Sequence, residues 1–526
     1  MQQTRVFDPV FTGHSDDAVL QLPGISLPAE IPTLARLATI ALVFIALYSL
    51  SVPVHAQNAP AGDGKLKMVV ALFRHGIRPP LKSFACSANQ YSGKAWPALE
   101  DWNAIPGNTG PQWGNLTEHG KLLAQALGRH YATHYHDILD DHGRGVSFWA
   151  DVDERTQQTA LGLKAGFCWP PASGIACRAQ LSGLSGESTK DPLFHPFAAG
   201  CGTPDSVKLN KIASDIEQNQ ESWIKEPDRQ LAVNTLQNTL NCNGEQIQIQ
   251  TGCPPPPVPS KCIPLLQKRP DTAKPGEKPD SSPIKWNGVF SYASGSSEAF
   301  LLEYANNMAQ DKVGWGQVNP PNSQVDPPNL GMMLQLHEFF FEKTDRQEYI
   351  AKIQGSNLVR EILDDLERAA GRRVMGCPRG ATSSKFIGLV GHDTNLASVG
   401  ALLNLEWKFD TRFPGIPAKD ALPAGALVFE LRDRGSAGQP NLFVRIFYVT
   451  LTPQQMRDCT QATATPEPVW LPVTNPNCKS DSACEIPLRT FETMARHSLD
   501  SKFLSSCLSG RQICGNQKTA TKSGGQ

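Results

Sequence analysis

Residues 66–73 and 385–390, LKMVVALF and KFIGLV, are short, almost wholly apolar and partly β-branched, and each runs into a histidine two positions on. Runs of that length and composition are buried strands. A third run, residues 146–152, ends in the charged cluster Asp151-Val152-Asp153-Glu154-Arg155. Helical patterns follow each. Leu122, Leu123, Ala126, Leu127 and Tyr131 recur at helical spacing behind Thr117, a suitable N-cap, and residues 155–165 and 396–403 continue the alternation. Strand followed by helix, repeated, predicts an α/β fold. Residues 426–431 and 442–451 read as a late hairpin, so the expected core is a central mixed sheet flanked by helices.

The middle differs in kind. From residue 168 to about 286 the sequence is rich in Cys, Pro, Gly, Asn and Gln, with CPPPPVP at 253–259 and a charged stretch at 267–283. We read it as a mostly helical insertion with a Pro-rich surface loop, held by disulfides. Further helices are expected near 296–309, 332–341 and 358–370. The chain of 526 residues is then parsed as a leader (1–56), a spacer (57–64) and one large unit (65–526), whose core spans roughly 65–167 and 300–526 around an insertion at roughly 168–299.

Thirteen cysteines, spread out and not paired as C-x-x-C hooks, point to an oxidising compartment. The N-terminus agrees: Arg36 precedes the uncharged run 37–54, which closes on Val54-His55-Ala56, so a signal peptide cut after Ala56 is expected, with a periplasmic or secreted product. Residues 1–36 carry four acids and two arginines where a basic segment belongs, which places the expected translation start near Leu34. The same run is just long enough to be an uncleaved anchor; with cleavage, no membrane association remains. Charge excludes another class of partner. With 49 Lys+Arg against 50 Asp+Glu there is no overall basic field to collect nucleic acid, so anion recognition must be local.

That local site is suggested by the strand ends. In open α/β sheets the carboxyl ends of strands form the ligand crevice, so His75 and His392, far apart in sequence, are candidates to meet there. Arg74 and Arg78 flank His75, and Arg155 follows the third strand. Their charges disfavour a protonated imidazole, leaving it neutral and nucleophilic, while their planar forks match phosphate oxygens. Gly76 would let backbone approach the ligand. Asp393 would protonate the leaving alcohol, which requires it to be uncharged when substrate arrives. Asp153 and Glu154 read as helix N-terminal acids. A phosphatase of small-molecule phosphate esters, active in acid and using no metal or cofactor, follows. R-H-G-x-R-x-P should arise by chance in about one chain in ten thousand of this length.

The sequence resembles the histidine acid phosphatases, in the branch of bacterial phytases and periplasmic glucose-1-phosphatases. The residues that carry the likeness are Arg74-His75-Gly76-Ile77-Arg78-Pro79-Pro80, Ala150-Asp151-Val152-Asp153-Glu154-Arg155-Thr156 and Gly391-His392-Asp393-Thr394-Asn395-Leu396-Ala397, with weaker matches at Asp191-Pro192-Leu193-Phe194, Gly314-Trp315-Gly316 and residues 427–431. The resemblance implies that His75 becomes a phosphohistidine, that Arg74, Arg78, Arg155 and His392 hold the phosphate, and that Asp393 gives the proton. It implies an α/β core with a mostly helical domain over the site, no metal, and bridges from Cys201 to a C-terminal cysteine, most simply Cys507, and from Cys478 to Cys484. Lys82 and Glu298 match positions that line the substrate pocket of phytase-like members, whereas Leu81 and Gln317 stand where those members carry a hydroxyl and a basic residue.

Two other functions are compatible with the residues alone. His130-x-x-x-His134-x-His136 puts two imidazoles on one helix face and could serve a secreted metal-dependent hydrolase, although no Glu sits between them as in H-E-x-x-H. A non-catalytic phosphate-binding protein would keep the arginines, but binding alone needs neither His75 nor Asp393.

Overall fold

The computed structural model describes residues 63–513, apart from 83, 85–90, 93, 103–111, 140, 170–175, 183–189, 241–268, 274–281, 319–328, 375–382, 437, 462, 479–482 and 509–510. The chain divides into two units, Met1–Pro60 and Ala61–Gln526, and every described residue belongs to the second. The expected signal peptide and the Pro-rich stretch 253–259 lie outside the described residues. No described helix is long and apolar enough to cross a membrane.

In chain order the strands are β1 (Lys65–Arg74), β2 (Val146–Ala150), β3 (Gln180–Ser182), β4 (Asp271–Thr272), β5 (Ile284–Lys285), β6 (Phe386–Gly391), β7 (Glu406–Trp407), β8 (Ala426–Asp433), β9 (Leu442–Thr450), β10 (Val469–Thr474), β11 (Cys484–Pro487), β12 (Ser506–Leu508) and β13 (Arg511–Ile513). The helices are α1 (Glu118–His134), α2 (Glu154–Phe167), α3 (Ser206–Lys225), α4 (Pro227–Thr239), α5 (Val289–Ala305), α6 (Asn329–Lys343), α7 (Glu348–Ala369), α8 (Asp393–Leu402), α9 (Pro453–Asp458) and α10 (Leu488–Ser498).

Nine of these strands make one sheet, in the order β3-β2-β6-β1-β8-β9-β10-β7 with β11 also on β9. The half from β3 to β1 is parallel. β8 joins β1 antiparallel and the remaining pairs continue so, which makes the sheet mixed. Parallel strands are buried on both faces and need helices on both. Phe73 of β1 meets Tyr131 of α1, ring centroids 5.4 Å apart, on one face. On the other, Phe429, the register partner of Val70, meets Phe491 of α10 at 6.1 Å.

α1 starts where its cap predicts: the Thr117 hydroxyl accepts from Gly120 N at 3.0 Å. Two helices start earlier than their patterns suggest. α5 begins at Val289 instead of near 296, and the core boundary drawn at 299/300 falls inside it; the helix is buried on nearly every face, so no polar stripe marks its period. α7 begins at Glu348, well before 358, running through Gly355. A Cβ there would lie 2.9 Å from Leu402 Cδ1 and 3.1 Å from Ser398 Cβ, so this glycine allows α7 and α8 to approach and does not end a helix.

Cys478 bonds to Cys484, and Cys168 bonds to Cys177, a pair with no sequence signal. Cys201 is disulfide-bonded, while the side chain of Cys507 lies outside the described ones. Among the described residues Cys459 is a free, buried thiol, and burial pushes it up to about 11, so it is not a reactive thiolate.

Glu303 of α5 is wholly buried and accepts from Gly314 N at 2.8 Å; burial raises its carboxyl to about 8. The folded protein therefore holds a proton here that the unfolded chain releases near pH 4.5, so stability from this group falls as pH rises from about 4.5 toward 8, by about 3 kcal/mol at pH 7. Glu303→Gln should melt several degrees above the parent at pH 7 and level with it near pH 4.5. Thermal melts at the two pH values check this.

Candidate active site

Register assembles the site. Arg74 pairs with Gly391 at the end of β1 and β6, and Ala150 pairs with Val390 at the end of β2. The next residue of each strand continues the ladder: His75 N donates to Gly391 O at 2.9 Å and Asp151 N to Val390 O at 3.0 Å. Thus His75, His392 and Asp151 stand side by side at the carboxyl edge, with the two imidazole centroids of His75 and His392 5.5 Å apart. α2 begins at once after Asp153 and supplies Arg155, and α8 begins at Asp393 with His392 as N-cap. The amino end of α8 thus faces the crevice, where helix dipoles favour anions.

His75 is buried, and its Nδ1–H donates to Gly76 O at 2.8 Å, since a carbonyl can only accept. That tautomer leaves the lone pair on Nε2, toward which Arg78 Nε points from 3.5 Å. Burial first, then the charges of Arg78, Arg155 and Arg74, hold His75 well below the usual histidine range, so the ring is neutral. The same causes, burial and Arg155's charge foremost, push Arg78 down to about 10, still fully charged in acid.

Arg74 is completely buried. It forms an ion pair with Glu298 Oε1, a second with Asp393 Oδ2 at 3.1 Å, and donates to Ala421 O. Burial works against its charge, but the carboxylates of Glu298, Asp393 and Asp420 more than offset that. Arg155 Nη2 lies 2.7 Å from Asp153 Oδ2 and 3.4 Å from His392 Nδ1. His392 donates through Nε2 to Asp151 Oδ2 at 2.8 Å; burial, opposed by that bond, pushes it down to about 4.

Two expectations need correction. Asp393 is not held neutral: burial raises it, yet Arg74, followed by His337 and Arg78, carries it well below the usual carboxylate range, so it is an anion here. Gly76 does not clear space for a ligand. A Cβ there would sit 3.1 Å from Leu116 Cδ1 and 3.2 Å from Gly120 O, and Gly76 N donates to Thr159 Oγ1 at 2.9 Å, so the glycine lets the loop pack on α1 and α2.

Lys82 is exposed, and Glu298 of α5 is buried against Arg74. Asp153 stands at the N-cap position of α2 without a side-chain cap bond, its carboxylate pairing instead with Arg155, Lys190 and, at 3.4 Å, His392. Glu154 Oε2 accepts from Leu116 N at 2.8 Å. Asp151 and His195, neither of them expected from the sequence, also stand in this cluster, Asp151 Oδ2 lying 2.8 Å from both His392 Nε2 and His195 Nε2. Asp151 had the same signal as the two histidines, a polar residue just past an apolar strand, whereas His195, behind the Asp191-Pro192-Leu193-Phe194 turn, had none of its own.

His130 and His134 stack with ring centroids 5.7 Å apart, but with His136 they form no group of ligand atoms among the described residues. His130 Nε2 accepts from Trp470 at 3.3 Å, His134 stacks on the same indole with centroids 4.3 Å apart, and His136 pairs with the exposed Asp137. Among the described residues one group could share an ion: Asp151, Asp153, His195 and His392, with ligand atoms within 4.8 Å of one another.

A neutral buried imidazole ringed by three guanidinium groups, at the carboxyl edge of a parallel sheet, defines a class, and comparison with known proteins gives the same one. The model of the histidine phosphatase superfamily (branch 2) matches residues 65–449. The chain belongs to that family, and it is an enzyme of the histidine acid phosphatase class. It is 28% identical to phytase AppA of Escherichia coli (strain K12) over 451 residues, 84% of this chain and 94% of that one. It is 24% identical to a glucose-1-phosphatase of Providencia rettgeri, covering 78% and 87%. The solved Hafnia alvei phytase bound to myo-inositol hexakis sulphate superposes with a TM-score of 0.65 at 26% identity, covering 85% of this chain and 99% of that one.

Proposed function

We propose that this enzyme hydrolyses phosphate monoesters in acid by passing the phosphoryl group to His75 and then to water. The observation that carries the reading is the Nδ1–H bond to Gly76 O, which leaves the Nε2 lone pair facing Arg78. Nε2 forms the nitrogen–phosphorus bond as the ester oxygen leaves with its electron pair and takes a proton from Asp393; water, giving a proton to Asp393, then attacks phosphorus as the nitrogen–phosphorus bond breaks and its electron pair returns to Nε2. Arg74, Arg78 and Arg155 offset the charge on the non-bridging oxygens, and His392 donates to one of them.

Since Asp393 is an anion in the free enzyme, its proton arrives with the substrate. A phosphate monoester has its second ionisation near about pH 6, so below that it enters carrying a proton. Its negative charge beside Arg74 weakens that guanidinium's hold on Asp393, and the proton passes across. Acid dependence then comes from the ester.

The substrate we infer is an inositol polyphosphate or a sugar phosphate, the kinds named for the relatives. The exposed Lys82 supports a second anionic contact, and Glu298 acts through Arg74. The helical segment contributes α5 beside Arg74, which supports its reading as a layer over the site. Export to the periplasm or medium is supported by the leader and by the disulfides. A rapid alkaline denaturing quench during turnover of a labelled ester should trap an acid-labile label on the peptide bearing His75, undiminished by EDTA. Absence of label during a single turnover, or loss of turnover on chelation, would overturn the reading.

A further inference from the structure

Asp151 is 0% exposed, and among the described residues its carboxylate has two hydrogen-bond partners, both on Oδ2: His392 Nε2 and His195 Nε2, each at 2.8 Å. Oδ1 has none. An ionised carboxylate in so dry a place is costly unless donors surround it. Burial pushes this one up, and the two imidazoles pull it well below the usual range.

His195 is fixed there by three elements. Asp191 Oδ2 accepts from Trp149 Nε1 of β2 at 2.8 Å, Asp191 O accepts from His195 N at 2.8 Å, Asn395 of α8 donates to Phe194 O at 2.9 Å, and Asn357 of α7 donates to Pro192 O at 2.8 Å. Asp153, held by Arg155 at 2.7 Å and by Lys190 at 3.2 Å, also reaches His392 Nε2, but from 3.4 Å, farther than Asp151. His392, with Nε2–H committed to Asp151 and Nδ1 facing Arg155, can donate from Nδ1 only as an imidazolium. Asp151 is the counter-ion for that state.

We propose that His195 is a positioning residue, which by donating to the carboxylate oxygen shared with His392 keeps Asp151 ionised and oriented so that His392 can donate to the bound phosphoryl group. This rests on the phosphohistidine reading and deepens it. Without His195, burial of Asp151 is opposed by one donor, so the carboxyl protonates at higher pH and His392 loses its counter-ion.

Removing the partners that orient a metal-ligating imidazole commonly costs about 10- to 100-fold, and a loss of that order is expected for this phosphate-binding one. His195→Ala should lower kcat/KM within that range, mainly through KM, and move the acid limb of its pH profile upward. His195→Asn, whose amide can donate from a similar place, should regain most of both, with thermal melts reporting that each variant is folded. A loss of activity with an unmoved acid limb, no rescue by asparagine in a folded variant, or activity removed by EDTA and restored by zinc would each overturn the proposal, the last by making the cluster a metal centre. His75→Ala, run alongside, separates the cases: wild-type behaviour of the His195 variants while His75→Ala is dead sinks only this inference, whereas turnover without His75 sinks the reading beneath it.

Discussion

Replacing His75 with alanine should lower kcat by about 10⁴-fold or more on every phosphate monoester, the scale seen when a nucleophile that acts as part of a unit is removed. The three arginines remain, so phosphate should still bind. Inhibition of a crippled enzyme is hard to read, and direct calorimetry with inorganic phosphate is the better check. Retained affinity with lost turnover fits a ring that reacts. It also separates an enzyme from a phosphate-binding protein, which would register no functional loss. Near-normal rates in His75→Ala would remove the basis of the mechanism.

Asp393→Asn should have the second largest effect, and one that depends on the alcohol released. General acids contribute about 10²- to 10⁴-fold, so a loss of that size is expected with alkyl phosphates such as glucose 1-phosphate or phytate. With p-nitrophenyl phosphate, whose phenolate leaves without a proton, the loss should be much smaller. Phosphate affinity should not fall, because the variant frees Arg74 from one of its two ion pairs while Glu298 and Ala421 O still hold the guanidinium. Equal losses with good and poor leaving groups would show that Asp393 does not hand over the proton.

Much of the core was legible because burial and charge change abruptly at the same residues. β1 is apolar from Met68 to Phe73 and β6 throughout, and a polar residue cannot follow such a run without entering either water or a site. β10 was not legible: VWLPVT carries an exposed proline and a second exposed position, and it pairs with β9 and β7 only through contacts distant in sequence. α5 hid its start because all its faces are buried. Within the site, residue types pointed to His75, His392 and the arginines, but ionisation did not follow from type. Asp393 was expected neutral and is an anion, because that depends on Arg74 lying 3.1 Å away across two strands. His195 had only a weakly marked turn before it, and its meaning comes from sharing an oxygen with His392.

The first long strand among the described residues, β1, has both of its neighbours, β6 and β8, encoded in the last third of the chain. A nascent polypeptide that stops short of residue 393 therefore possesses no catalytic centre, however much of it has folded. Under the export proposed above, this ordering would keep a hydrolase of phosphate esters idle until its last third has been made.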